Sequence, residues 1–151
     1  MADELTPTFT VADVLEKAAD IIAPPNGRTR WMRGNLHSRD GRFCALGGIE
    51  HAAAKLAGLS GRRSLHVYSP RFADARRAAS SLTEQAQRAL MFNGVTGSVP
   101  AVYKDHVPRS VPSWNDNVAK NGREVAQAMR NLAKMLRAEA AVADDNQKKV
   151  N

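Results

Sequence analysis

Cysteine is almost absent from this chain: Cys44 is the only one in 151 residues. An intramolecular disulfide is therefore excluded, and such usage fits a reducing compartment, so the protein is expected in the cytoplasm. The four histidines, His37, His51, His66 and His106, show none of the short paired spacings of zinc ligands. No metal and no cofactor is expected. Long apolar runs are missing too, since no stretch approaches the roughly 20 residues that a membrane-spanning helix needs. The start, Met1 to Thr6, is acidic and lacks the apolar centre of a signal peptide. Aromatic residues are only 5%, and alanine supplies much of the apolar 43%. Small side chains suit close helix packing but bury little area each, so the core must lean on a few Leu, Ile, Phe, Trp and Met.

What the chain does have is positive charge: 22 Lys and Arg against 15 Asp and Glu, a formal +7. That surplus points to nucleic acid or an acidic protein surface as partner class. The length suits one domain. Residues 1–9 are expected to form a flexible arm, 10–140 a single globular domain, and 141–151, with its run of Asp, Asn, Gln and Lys, a frayed tail.

Hydropathy patterning predicts a mainly α, compact helical domain of about four helices with one small β-hairpin. Val11, Val14, Leu15, Ala18, Ala19 and Ile22 share one helical face, Thr10 with Asp13 forms a capping pair, and Pro24-Pro25-Asn26-Gly27 stops the helix. Thr29 to Leu36 and Arg42 to Cys44 flank Asp40-Gly41, a pair suited to a tight turn, which predicts a two-stranded ribbon. A second helix is expected from Cys44 or Ala45 to Gly58, with Leu46, Ile49, Ala53 and Leu56 inward and Cys44, Gly48, His51 and Lys55 on the opposite arc. Ser69-Pro70 reads as the start of a third, carrying Phe72, Ala75, Ala79, Leu82, Ala86 and Leu90 to about Asn93-Gly94, either unbroken or restarted at Ser81 with Glu84. Residues 95–120, with Pro100, Pro108 and Pro112, show little periodicity and read as a long functional loop. The last helix follows Asn121 with Glu124, on a stripe of Val125, Met129, Leu132 and Leu136.

Candidate chemistry centres on Arg42 to His51. A thiol at a helix N-terminus can be activated, so a nucleophile, base and orienting set of Cys44, His37 and Asp116 can be written for a hydrolase or transferase. His51, seven residues along the same helix, sits about 10 Å from Cys44, too far for a base. Free cysteine is also among the most buried residue types, so inert packing competes with this reading. Gly47-Gly48 lacks the lysine and spacing of a nucleotide loop and is better explained by close helix contact. Trp114 is expected to anchor the long loop, while Asn115 and Asp116 hold its turn through backbone bonds or border a site beside Cys44.

Basic residues offer two surfaces. Arg28, Arg30, Arg33, Arg39 and Arg42 crowd the predicted hairpin with Asp40 as the only acid, but no aromatic ladder interleaves them as single-strand binders require. Arg62, Arg63, Arg71, Arg76 and Arg77 form a second set, suited to phosphate contact without sequence reading. A helix-turn-helix is excluded because the connection between the third and fourth helices far exceeds three or four residues.

Phe43-Cys44-Ala45-Leu46-Gly47, Trp114-Asn115-Asp116 and Glu124-Val125, in this order across residues 11–136, resemble a family of small domains of unknown function (domain of unknown function 6197) from actinobacteria and their phages. The resemblance implies a phage or accessory protein and supplies no reaction. This chain departs from the pattern by a longer basic loop at Gly58 to Ser69 and a longer proline-rich approach to Trp114. Together these readings favour a non-enzymatic binding protein that engages a host protein through its basic surface and the proline-rich loop, with Arg62, Arg63, Arg71, Arg76, Arg77, Trp114 and Asn115 as its binding residues. The alternatives are cysteine-dependent chemistry at Cys44 and sequence-independent nucleic-acid binding through the arginine-rich hairpin and loop.

Overall fold

The computed structural model describes residues 9–59, 73–91 and 110–150. Among them lie five helices: α1 Val11–Ile22, α2 Ala45–Leu56, α3 Ala73–Ala89, α4 Val111–Asn117 and α5 Gly122–Val150. The mainly helical expectation holds, while the count of four and the small hairpin do not. The N-terminal arm, Gly58 to Ser69 beyond Leu59, the Ser69-Pro70 start with Phe72, and the proline-rich stretch up to Arg109 lie outside the described residues.

Helix α1 is the central element and packs on α5, α2 and α3. Its capping box is in place: the Thr10 hydroxyl accepts from the Asp13 amide at 3.3 Å, and the Thr10 amide donates to the Asp13 carboxylate at 2.9 Å. Val14, Leu15, Ala18, Ala19 and Ile22 are buried, as the three-and-four spacing dictates. Helix α2 crosses α1 so closely that a Cβ on Gly48 would stand 2.7 Å from Ile22 Cδ1. Gly48 is therefore buried, although periodicity alone assigned it to the outer arc, while Leu46 and Leu56 are only half-buried. Alanine and glycine let two helix backbones approach where a larger stripe would hold them apart.

Helix α3 is unbroken over its described length, and the Ser81 hydroxyl accepts from Gln85 within it rather than starting a new one. Helix α4 occupies part of the expected loop. Seven residues are too few to show a period, but Ser110 caps it by accepting from the Ser113 amide at 3.2 Å, and Pro112 sits in its first turn. Trp114, wholly enclosed, is the largest fully buried side chain of the core. Helix α5 buries Val125, Met129 and Leu132, then continues through the stretch expected to fray, with every residue from Arg137 to Val150 exposed. No described helix is long and apolar enough to cross a membrane.

A charged seam closes α1 against α5. Arg130 donates to Asp20 at 2.9 Å and to the Ala23 carbonyl at 2.8 Å, and Arg137 pairs with Asp13 at 2.8 Å and with Glu16. The Thr10 amide first, and then Arg137, hold the Asp13 carboxyl below its ordinary pKa. A group depressed in the folded state stabilises the fold above its unfolded pKa, and that contribution is lost as pH falls through the folded value. Asp13→Asn should therefore be less stable than the parent at pH 6, with the difference shrinking towards zero below about pH 4, where carboxylates protonate. Urea unfolding across this range checks it; a difference independent of pH would contradict the assignment.

Candidate functional site

Residues 28–44 form a hydrogen-bonded loop organised around Phe43. The Phe43 amide donates to the Arg30 carbonyl at 2.7 Å, and its carbonyl accepts from the Met32 amide at 3.1 Å. On its other side Cys44 donates to the Leu36 carbonyl at 3.1 Å and Ser38 to the Arg42 carbonyl at 2.9 Å. Phe43 thus bridges Trp31 in parallel and His37 in antiparallel sense. Thr29 to Leu36 was expected to be one strand. It breaks at Gly34, whose φ of +87° turns the chain back, so single bridges replace a ladder. The tight turn near Asp40-Gly41 does form, with Gly41 at φ +85°.

One side chain from α4 ties this loop to the body. Asn115, 0% exposed, accepts with Oδ1 from the Ala45 amide at 2.9 Å and from Trp31 Nε1 at 2.6 Å. With Nδ2 it donates to the Met32 carbonyl at 3.0 Å and to Asp116 Oδ1 at 3.0 Å. Asp116 Oδ1 in turn accepts from the Gly34 amide at 3.0 Å. Every polar atom of the buried amide is used, so the loop's path is fixed by a group some 80 residues away in sequence. Arg33 adds a second latch: it donates to the Ala119 carbonyl at 2.6 Å and stacks 4.8 Å above the Trp31 ring. Trp31 lies against α5, where a Cβ on Gly122 would meet Trp31 Cβ at 2.5 Å.

Cys44 is the N-cap of α2, 4% exposed, its Sγ accepting from the Gly47 amide at 3.3 Å. Burial pushes the thiol up from its ordinary pKa and outweighs the pull of the Gly47 and Leu46 amides; Asp116 and Glu50 push the same way. The bridge between His37 and Phe43 sets both rings on one side of the bridged segment, 6.5 Å apart. His51 stacks on Phe43 at 4.9 Å. Among the described residues the Cys44 Sγ accepts from the Gly47 amide, and no hydrogen bond joins it to His37 or Asp116. An alkylating reagent at pH 8 should modify Cys44 at least about 100-fold more slowly in the folded protein than in urea, given the loss of both thiolate and access. Equal rates would restore the thiol as a candidate.

Of the basic residues named from sequence, Arg62, Arg63 and Arg71 lie outside the described residues. Arg76 and Arg77 sit on α3, Arg77 paired with Asp74. Trp114 and Asn115 are both enclosed, and Asn115 is the one that holds the loop. Sequence reading missed Trp31 and Arg33 as latches because their partners come from α4 and the turn before α5. Arg28, Arg30 and Arg39 are exposed, as are Lys120 and Arg123, while Arg42 pairs with Asp40 at 3.1 Å.

Comparison with known proteins adds one relationship: the model of a family of unknown function, DUF6197, matches residues 6–135. No curated protein and no solved structure matches the chain.

Proposed function

We propose, for a chain that belongs to this family of unknown function, a non-enzymatic binding role: a phage-type accessory protein that engages a host protein through its basic surface. The observation that carries this reading is the arginine-rich loop itself, which is held in one conformation by Asn115 while Arg28 and Arg30 stand exposed with no ion pair among the described residues. A surface fixed before binding loses little conformational freedom on association, and unpaired guanidinium groups steer an acidic partner towards it. Cys44 in this reading is a cap and filler for α2, consistent with its burial and raised pKa. The proline-rich stretch before α4 would contribute to the same engagement.

The test is capture from host lysate on the immobilised protein at low salt. A stoichiometric partner should be retained, be released as salt rises, and be retained equally by Cys44→Ser. Absence of any stoichiometric partner, or its loss on Cys44→Ser with the fold intact, would overturn the proposal. Nucleic acid is the second reading that the same unpaired arginines favour. It requires affinity that falls steeply between low and moderate salt on any duplex sequence.

A further inference from the structure

Helices α1 and α5 run antiparallel, since Arg130 reaches Asp20 near the end of α1 while Arg137 reaches Asp13 and Glu16 near its start. Along this seam they leave a cleft of about 330 Å³, lined by Glu16, Asp20, Arg130, Ala133, Lys134 and Arg137. Its charges are sorted by helix. Glu16 and Asp20, one turn apart, make the α1 wall acidic; Arg130, Lys134 and Arg137 make the α5 wall basic, and Ala133, 1% exposed, lies between them. Both arginines are committed to the seam, Arg130 to Asp20 at 2.9 Å and Arg137 to Glu16 and Asp13. Lys134, one turn from each, is exposed and has no ion pair among the described residues. On the opposite wall Glu16 Oε1 and Asp20 Oδ2 accept no hydrogen bond among the described residues, although each carboxylate oxygen can accept. Unused donors therefore face unused acceptors across a cavity.

We infer that this cleft binds a small zwitterion, its ammonium on Glu16 and Asp20 and its carboxylate on Lys134, the chemistry of a free α-amino acid. The site shares no residue with the arginine loop, and the inference goes beyond the binding role proposed above. Neither charge sign alone fits. A plain anion would meet the carboxylates of α1 and a plain cation the basic groups of α5, whereas a molecule carrying both signs meets complementary charge on each wall. It also takes up only the hydrogen-bonding capacity that the ion pairs leave over, so no bridge of the seam has to break. The volume is that of a small-molecule site. The two arginine bridges hold the walls in place before a ligand arrives, which limits the ordering cost of binding, and the flexible stem of Lys134 lets its ammonium follow the ligand's carboxylate.

The experiment titrates free leucine, leucinamide and N-acetyl-leucine into the isotope-labelled full chain and follows amide chemical shifts. Leucine carries both charges, leucinamide lacks the carboxylate and N-acetyl-leucine lacks the ammonium. Leucine should shift residues 13–20 and 130–137, and each blocked compound should bind about tenfold more weakly, as expected for one lost hydrogen bond between charged groups. Lys134→Met should bring leucine down to the level of leucinamide and leave leucinamide itself unchanged, while Lys134→Arg should keep the preference for leucine. The acidic wall is tested by the acetylated probe rather than by a variant, because Glu16 and Asp20 also carry the bridges of the seam. Thermal unfolding of Lys134→Met should match the parent, since this exposed lysine holds no ion pair among the described residues. Equal binding of the three compounds, no saturable shift with leucine, shifts confined to other residues, or a preference for leucine that survives Lys134→Met would overturn the inference.

Discussion

Asn115→Ala should lower the unfolding free energy by about 4 kcal/mol, because several buried backbone and side-chain groups lose their partner at once and each costs about 1–3 kcal/mol when left unmade. The groups are the Ala45 amide, the Trp31 indole N–H and the Met32 carbonyl, all satisfied by this one amide. Asn115→Asp separates the two halves of the role. It keeps an acceptor for Ala45 and Trp31 but loses the donation to Met32 and sets a second carboxylate beside Asp116. Its loss should be substantial yet smaller than that of alanine. Urea unfolding of the three proteins decides the order. An alanine variant within about 0.5 kcal/mol of the parent, the range of an ordinary surface change, would show that the loop does not depend on this residue.

Gly47→Ala is the second large effect. A Cβ at this position would stand 1.8 Å from the Leu36 carbonyl oxygen and 2.7 Å from its carbon, and a backbone group cannot swing aside as a side-chain end can. Alanine would otherwise favour the helix by about 1 kcal/mol, so the clash has to outweigh a real gain. A net loss of about 3 kcal/mol is expected from overpacking against fixed backbone. Gly48→Ala is the control one residue on. The nearest atom there is the flexible end of Ile22, and the change should stay within about 1 kcal/mol because relaxation and helix propensity offset the contact. If both variants behave alike, helix propensity rather than the Leu36 carbonyl governs the position.

The two glycines also show which parts of this fold could be read from the sequence. Local signals carried through. Thr10 and Asp13 fix the start of α1, Gly58 takes a positive φ of 83° just past α2, and the Val125, Met129 and Leu132 stripe faces the core. The Ser110-Val111-Pro112 start of α4 was legible by the same cap-and-proline rule that was applied to Ser69-Pro70. Seven residues show no period, so hydropathy patterning does not mark it. Residues 28–44 were not legible. Asp40-Gly41 signals a turn, but the chain's reversal at Gly34 is held by Asp116, and the register around Phe43 by Asn115. Those bonds join positions about 80 residues apart, and no local rule reports them. The candidate site followed the same division: sequence marked the arginines, the thiol and the Trp-Asn-Asp segment. Only the packed chain shows that the last of these holds the first in place.

The arginine loop depends on that joint, and the Ala45 amide reports on it directly. An N–H in the first turn of a helix has no partner within the helix and exchanges quickly unless another group accepts it. Here the acceptor is Asn115 Oδ1, at 2.9 Å. Native-state hydrogen exchange should find the Ala45 amide protected to nearly the level of the core amides of α1 and α5, with protection lost in Asn115→Ala. Exchange of Ala45 as fast as an exposed loop amide in the parent protein would mean that the arginine loop is not pinned, and the proposed binding surface would lose its basis.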